Sequence, residues 1–259
     1  MTDDRDRRDV DVLDRELRQT DTSSRTRRWL LERAAVGAAG VAAGSALAPV
    51  AEASARGGRG EIPEFGAVAA TTEALTVTLL TELLRRVGQH PEVPSAVKSV
   101  FEGAYAAEVD HFRFVRRHWR PTTTRFWIPD GFFGGPGNAL NLTDVGNALV
   151  AGETLFINLY LIGVTAFARA GQRKLARYSA ELAGCESEHR VLARTLIDGN
   201  PPNNVGFEVY AIQRGRGIER ALEGAGVGFG AKGSAPGAFY SLAHPIMKPP
   251  LKITANKPT

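Results

Sequence analysis

The sequence "ALVAGETLFINLYLIGVTAFA", residues 148–168, contains one charged side chain, that of Glu153, before the helix ends. On a helix with 3.6 residues per turn, Glu153 lies on the same face as Leu149, Ile157 and Tyr160. An ionised carboxylate in apolar surroundings costs several kcal/mol unless another group compensates its charge. The stretch therefore predicts a buried helix whose glutamate has a partner elsewhere in the chain.

Two further stretches place a histidine three positions after a glutamate. They are "EVDHFRF", residues 108–114, and "CESEHRVL", residues 185–192. In each stretch the glutamate and the histidine continue an apolar stripe, and the four residues are Glu108, His111, Glu186 and His189. Residues three apart on a helix are neighbours, so each carboxylate and imidazole can reach one common point.

Four segments have the periodicity of amphipathic helices. They run from about Phe65 to Val87, Ser95 to Trp119, Thr143 to Ala170 and Gln172 to Ile197, with Thr143 as the expected N-cap of the third. Short breaks separate the first from the second and the third from the fourth, whereas a long Gly- and Pro-rich segment joins the second to the third. This order predicts an all-α chain built as a four-helix bundle with one long crossover.

The first helix supplies the remaining glutamate of a symmetric set. Glu73 lies four and seven residues before Val77 and Leu80 and therefore shares their face. The four helices in order contribute Glu73, then Glu108 with His111, then Glu153, then Glu186 with His189. The paired glutamates are 35 residues apart in the first helix pair and 33 apart in the second. This repeat predicts that the six side chains converge at the bundle centre.

Polar residues outside this set are interpreted as structural or exposed. We expect solvent to surround Glu82 together with Thr78, Arg85 and Arg86. Tyr105 and Tyr160 are interpreted as core packing, with hydrogen bonding to the ligands as the alternative. The single cysteine, Cys185, is interpreted as a small buried apolar residue. The histidines that lack a matched glutamate are His90, His118 and His244.

The pattern of paired Glu-x-x-His motifs resembles the ligand set of ferritin-like di-iron and di-manganese carboxylate proteins. The resemblance covers about Phe65 to Ile197 and is closest to exported bacterial ferritin-like proteins, through "EVDHFRF" and "NNVGFEVY", residues 203–210. It implies a ferritin-like bundle in which Glu73 and Glu153 are terminal ligands, one for each of two divalent metal ions. It further implies that Glu108 and Glu186 bridge the ions, while His111 and His189 each complete one of them.

The resemblance also implies a class of chemistry. Oxygen-rich ligation with two imidazoles suits iron first and manganese next, with zinc as a further alternative. A dinuclear centre of this kind implies redox chemistry on oxygen or peroxide, of the ferroxidase, peroxidase or catalase type. The alternative is a stress- or desiccation-related structural protein with a static or vestigial metal site. Iron storage in a cage ranks below both, because the segment after the bundle is long and rich in Gly and Pro.

The N-terminal segment has a different composition. Residues 1–25 are mostly Asp and Arg and contain too few apolar side chains to form a core. "TRRWLL", residues 26–31, precedes an uncharged Ala- and Gly-rich stretch from Ala34 to Val50, and the small residues 53–55 follow. This arrangement is similar to a twin-arginine export signal cleaved after Ala55. An ordinary Ala-rich helix behind a charged tail is the alternative.

These features predict three regions of the chain. Residues 1–55 form a disordered leader with the signal, residues 56–198 form the bundle, and residues 199–259 form an irregular C-terminal extension packed on the bundle. One more helix is expected in that extension, from about Ala211 to Glu223. The signal implies export by the twin-arginine machinery to the periplasm, cell envelope or extracellular space.

The overall composition limits the partners of the chain. The 259 residues are 43% hydrophobic, which is enough to form one core. The net charge of only +4 is too small to predict nucleic-acid binding. The expected partners are metal ions and a small oxidant, and a homodimer is left open. A membrane span is an alternative for the third helix, but Glu153 and Asn158 would be unfavourable within a bilayer.

Overall fold

The computed structural model describes residues 60–197, 212–244 and 246–249. The predicted signal, its cleavage after Ala55 and the stretch "NNVGFEVY" lie outside the described residues. Four long helices account for most of the described chain, and they are α1 (Glu61–Val87), α2 (Ser95–Val115), α3 (Leu142–Arg169) and α4 (Arg173–Arg194). The prediction of a mostly helical chain is confirmed.

The four helices pack as two connected pairs. Helices α1 and α2 contact each other across a short turn, and α3 and α4 form the second pair across the turn at Gly171, where φ is +70°. Contacts between α1 and α3 and between α2 and α4 join the two pairs into one helical bundle. Apolar residues from all four helices form one large buried cluster between them, as the amphipathic pattern requires.

Several helix boundaries differ from the sequence-based expectation, and two of the differences involve specific side-chain contacts. The N-cap of α3 is Asn141 and not Thr143, because the Asn141 side chain accepts a hydrogen bond from the backbone N–H of Asp144 at 3.1 Å. Helix α2 ends at Val115, four residues before Trp119. Trp119 instead lies directly on Gly66 of α1, where a Cβ atom would approach the indole to 2.2 Å. The glycine therefore makes room for the indole where the crossover leaves α2.

The long crossover contains a strand that the sequence analysis did not foresee. Strand β1 (Arg125–Pro129) pairs antiparallel with two strands from the C-terminal part of the chain, β2 (Gly228–Phe229) and β3 (Gly237–Ser241). The resulting sheet has the order β2–β1–β3. The tail, which was predicted to be irregular, is thus hydrogen-bonded to the crossover. Its strands were not predictable because they are short and their partner strand is distant in the sequence.

The fifth described helix, α5 (Gly215–Gly224), precedes β2 and agrees closely with the helix expected in the extension. It packs on both α1 and α3, with Ile218 fully buried. The extension therefore contacts the bundle through α5 and reaches the crossover through the sheet.

The expectation that Glu82 and Arg86 face solvent is wrong. Arg86 is fully buried, and its guanidinium donates to Glu82 Oε1 at 2.8 Å and to the carbonyl oxygens of Gly135 and Ala139 at 3.0 and 2.8 Å. The guanidinium also stacks on the Phe133 ring, 4.0 Å from its centre. Helix α1 is covered on a second side by the crossover, and Thr78 is buried there as well, whereas Arg85 is half exposed as expected.

Helices α1 and α3 are both long and apolar enough to span a membrane by length and composition. Of the apolar window in each helix, 78% and 61% respectively is buried inside the protein. Burial of this extent is typical of the central helices of a bundle, whose apolar residues are covered by other helices.

We predict that Arg86→Met destabilises the protein by about 3–5 kcal/mol, because Glu82 and two backbone carbonyls lose a buried charged donor. The matched control is Arg85→Met on the same helix, where the exposed ion pair with Glu82 contributes about 0–1 kcal/mol. Urea unfolding of both variants measures the difference. Equal effects of the two substitutions would contradict a special role of the buried guanidinium.

The same ion pairs predict a pH dependence of stability. Burial acts to raise the pKa of Glu82, but hydrogen bonds from Arg85 and Arg86 outweigh it and lower the pKa below its ordinary value of 4.5. A carboxylate with a lowered pKa stabilises the folded state above its ordinary pKa, and this contribution is lost as the pH falls through the folded-state value. Glu82→Gln is therefore expected to be less stable at neutral pH, and the difference from wild type should shrink on acidification in urea titrations.

Candidate metal centre

All six residues selected from the sequence meet at the centre of the bundle. Each helix presents its residues from the buried face, with Glu73 on α1, Glu108 and His111 on α2, Glu153 on α3, and Glu186 and His189 on α4. The four glutamates are at most 5% exposed, and the two histidine side chains are about one-tenth exposed. Four carboxyl groups thus lie together in a region that excludes water.

The six residues form two groups that share two members. Glu73 and His111 belong to one group, Glu153 and His189 belong to the other, and Glu108 and Glu186 belong to both. Within each group, one ligand atom from every residue lies within 4.8 Å of the others. This is the geometry of two adjacent cation sites with two carboxylates between them.

The imidazoles lie between the two shared carboxylates. His189 Nδ1 is 2.8 Å from Glu108 Oε1 and 3.1 Å from Glu186 Oε2. His111 Nδ1 is 3.2 Å from Glu186 Oε1 and 3.5 Å from Glu108 Oε2. The ring centres of the two histidines are 5.8 Å apart. Each histidine therefore directs the same ring nitrogen at both shared glutamates.

Many of these polar atoms lack a hydrogen bond. Among the described residues, no partner in hydrogen-bonding geometry exists for His111 Nδ1 or for five carboxylate oxygens, namely Glu73 Oε2, Glu108 Oε1, Glu108 Oε2, Glu153 Oε2 and Glu186 Oε1. A buried polar atom without a partner costs about 1–3 kcal/mol, so a folded protein rarely collects several at one point. The unpartnered atoms face each other, which is the arrangement that bound cations satisfy.

Glu73 and Glu153, the two glutamates that belong to only one group each, resist ionisation. Burial raises the pKa of Glu73 well above its usual range, and the negative charge of Glu108 raises it further. Burial and the charge of Glu186 have the same effect on the pKa of Glu153. The neutral form of both carboxyl groups is therefore favoured over the ionised form.

The pKa of Glu108, which belongs to both groups, is shifted in the opposite direction. Burial acts to raise the pKa of Glu108, but the nearby imidazole groups of His111 and His189 outweigh it and hold that pKa well below its usual range. Burial likewise acts to lower the pKa of each histidine. The charge of Glu186 outweighs burial at His111 and raises the pKa of that imidazole. Contacts with Cys185 and Glu108 outweigh burial at His189 and raise its pKa. The imidazolium groups thus supply the positive charge that Glu108 requires.

Tyr160 is a member of the site that the sequence analysis placed in the core. Its hydroxyl group donates a short hydrogen bond to Glu73 Oε1, and the side chain is 1% exposed. A sequence signal existed, because Tyr160 lies seven residues after Glu153 on the same face and a buried phenol requires a partner. Tyr105 bonds elsewhere, to the carbonyl oxygen of Met247 at 3.0 Å.

Cys185 is half buried and borders the centre, which its interpretation as an apolar residue did not foresee. Its sulfur atom lies 3.8 Å from His189 Nε2, the ring nitrogen that faces away from the carboxylates. Burial acts to raise the pKa of the thiol, but His111 and His189 outweigh it and lower that pKa to about 7. The remaining histidines stay outside the centre, with His118 and His244 exposed and His90 bound to the carbonyl oxygen of Asn138.

The residues present suit divalent cations. Two such ions carry the positive charge that four carboxylates need, and the donors are carboxylate oxygens and imidazole nitrogens, which suit iron, manganese or zinc. Comparisons with protein-family models, with curated proteins and with solved structures gave no match. The assignment of a function therefore depends on the geometry of these side chains.

We predict that Glu153→Leu stabilises the metal-free protein, by about 1–3 kcal/mol, because it removes a buried acceptor that has no partner. The control is Glu181→Leu on the exposed face of α4, for which about 0.5 kcal/mol or less is expected. Urea unfolding in the presence of a chelator measures both values. A loss of stability in the first variant would show that Glu153 has a structural role without metal.

Proposed function

We propose that this chain is an exported ferritin-like protein that holds two divalent metal ions and uses them in redox chemistry on oxygen or peroxide. The observation that carries the proposal is the sharing of Glu108 and Glu186 by two buried groups of potential ligands. Structural clusters of acidic residues are usually exposed or paired with basic residues. Here the carboxylates are buried against one another, which a purely structural core would avoid.

The connectivity of the bundle supports the ferritin-like assignment. Two helix pairs are joined by one long crossover, and each pair contributes a lone glutamate from its first helix and a Glu-x-x-His motif from its second. In ferritin-like carboxylate proteins the same combination of motifs projects inward from four helices. The assignment therefore rests on both connectivity and ligand placement.

The donor set supports iron, with manganese as the second choice. Four carboxylates and two imidazoles are hard or intermediate donors, and the only sulfur nearby, that of Cys185, faces the outer nitrogen of His189. Bound as a pair, such ions would supply Lewis acidity and one-electron redox capacity to a small oxidant. The metal identity is thus proposed from ligand chemistry alone.

The protein residues have distinct roles in this proposal. Glu108 and Glu186 would hold both ions at a fixed separation, and Glu73 and Glu153 would each complete one of them. Tyr160 orients Glu73 by donating to Oε1, which leaves Oε2 directed at the site. Since the pKa values of Glu73 and Glu153 are raised, these residues would release protons as metal binds.

Export belongs to the proposal through the N-terminal sequence. Arg27 and Arg28 precede an uncharged Ala- and Gly-rich stretch, as in twin-arginine signals. This route would carry a folded protein that had already acquired its metal.

The shared ligands predict a graded loss of metal. Wild type is expected to bind two ions per chain. Glu153→Ala is expected to bind one ion, because Glu153 belongs to a single group, and Glu186→Ala is expected to bind close to none, because Glu186 belongs to both groups. The matched control is Glu188→Ala, an exposed glutamate on the same helix, which should retain two ions. Elemental analysis of the purified chains measures the ratio. Equal metal content in all four proteins would refute the dinuclear centre.

Turnover is tested separately from binding. Oxygen and peroxide consumption by the iron-loaded and manganese-loaded wild type, compared with Glu186→Ala, reports whether the centre is active. Metal bound without consumption of either oxidant would support the structural alternative, a protein with a static metal site.

A further inference from the structure

A small cavity lies against one half of the centre and leaves the other half covered. It is lined by Glu153 and His189, and it extends from them toward one end of the bundle. The other residues that line it lie toward the same end of the bundle. Leu149 precedes Glu153 by four positions on α3, and Leu192 follows His189 by three positions on α4. The cavity is therefore a passage between the helices that ends at the second group of ligands.

The wall of the passage is apolar apart from the ligands themselves. Leu80, Phe101 and Ala104 line it from α1 and α2, and Glu153 and His189 are its only polar side chains among the described residues. At its outer end lies Leu192, one of three large apolar side chains that are exposed in the described part of the chain, at 41%. An apolar route thus leads from the surface to Glu153.

The size of the passage limits what can occupy it. Its volume is about 20 Å³, and about 10–15 Å³ is enough for one water-sized molecule. Apart from Glu153 and His189, the described side chains of its wall offer no hydrogen bond, which disfavours water and favours a small uncharged molecule. The passage therefore accommodates one diatomic molecule without side-chain movement, and a larger organic substrate does not fit.

We propose that this cavity is the route by which dioxygen reaches the Glu153 and His189 half of the centre, so that dioxygen and not peroxide is the oxidant. The proposal rests on the proposed dinuclear site and names its substrate. Peroxide forms hydrogen bonds in water, and an apolar passage offers it none until the ligands are reached. Dioxygen loses no hydrogen bonds on entering apolar surroundings.

Aromatic side chains cover the opposite half of the centre. Tyr160 covers Glu73 there, and Phe65 contacts Tyr160 with a ring-centre distance of 6.3 Å. Phe167 and Trp119 pack on Phe65 in turn, at 5.4 and 6.0 Å. A cavity of about 10 Å³ lies between these rings, and none of the six candidate ligands lines it. Dioxygen is therefore expected to arrive asymmetrically, at the half that contains Glu153.

The first test requires no metal and no activity. Crystals of the metal-free full chain are pressurised with xenon, an apolar probe that occupies the dry cavities through which dioxygen travels. We expect a xenon atom between Ala104, Leu149 and His189. Absence of xenon there in wild type, or equal occupancy in the variant Ala104→Leu, which fills the passage, would overturn the proposal.

The second test compares two oxidants in the iron-loaded protein. Ala104→Leu is expected to slow dioxygen-dependent iron oxidation by about tenfold, equivalent to about 1.4 kcal/mol of added barrier, and to leave metal content unchanged. The matched control is Ala107→Leu on the same helix, which adds the same volume outside the passage. Similar slowing in both variants, or equal slowing with dioxygen and peroxide, would refute a dioxygen passage.

The two tests separate this proposal from the dinuclear site on which it rests. A wild type that binds no metal refutes the proposed function, and xenon occupancy still decides whether the cavity admits an apolar gas. A wild type that binds metal and reacts only with peroxide supports the centre and overturns the dioxygen route.

Discussion

The mutual repulsion of four buried carboxyl groups is the constraint on which the rest of the structure depends. Glu108 and Glu186 lie beside two imidazoles, and burial together with the neighbouring carboxylates raises the pKa values of Glu73 and Glu153. In a low-dielectric interior like charges repel strongly, so the cluster exists only with protons or cations between its members. Protons or bound cations would each relieve this repulsion.

The fold opposes this repulsion by holding the helices from outside the centre. The crossover covers α1, and Arg86 joins that helix to the backbone of the crossover through hydrogen bonds to Gly135 and Ala139. The C-terminal strands β2 and β3 then pair with β1 of the crossover, and α5 packs on α1 and α3. These contacts lie away from the ligands, so the scaffold keeps the carboxylates close without neutralising them.

The helices and the candidate ligands were predictable because short-range periodicity indicates both. Glu153 is the one charged residue in the apolar stretch 148–168, and the Glu-x-x-His spacing places two donors on one face whatever the surroundings. The same reasoning was wrong for Glu82 and Arg86, because a periodic pattern reveals one buried face and α1 has two. Residues 49 to 53 positions after Arg86 cover the second face, where Arg86 donates hydrogen bonds to the carbonyl oxygens of Gly135 and Ala139. The strands of the tail were missed for a similar reason, since two to five residues carry too little pattern.

The sequence by itself determined which six side chains are candidates and on which helix each lies, because side-chain direction along a helix follows from its period. Only the tertiary structure decided that Glu108 and Glu186 belong to both groups, that Tyr160 donates to Glu73, and that one half of the centre adjoins an apolar cavity. Those features depend on the distance and rotation between helices. Packing of many side chains together sets both quantities, and no single segment of the chain encodes them.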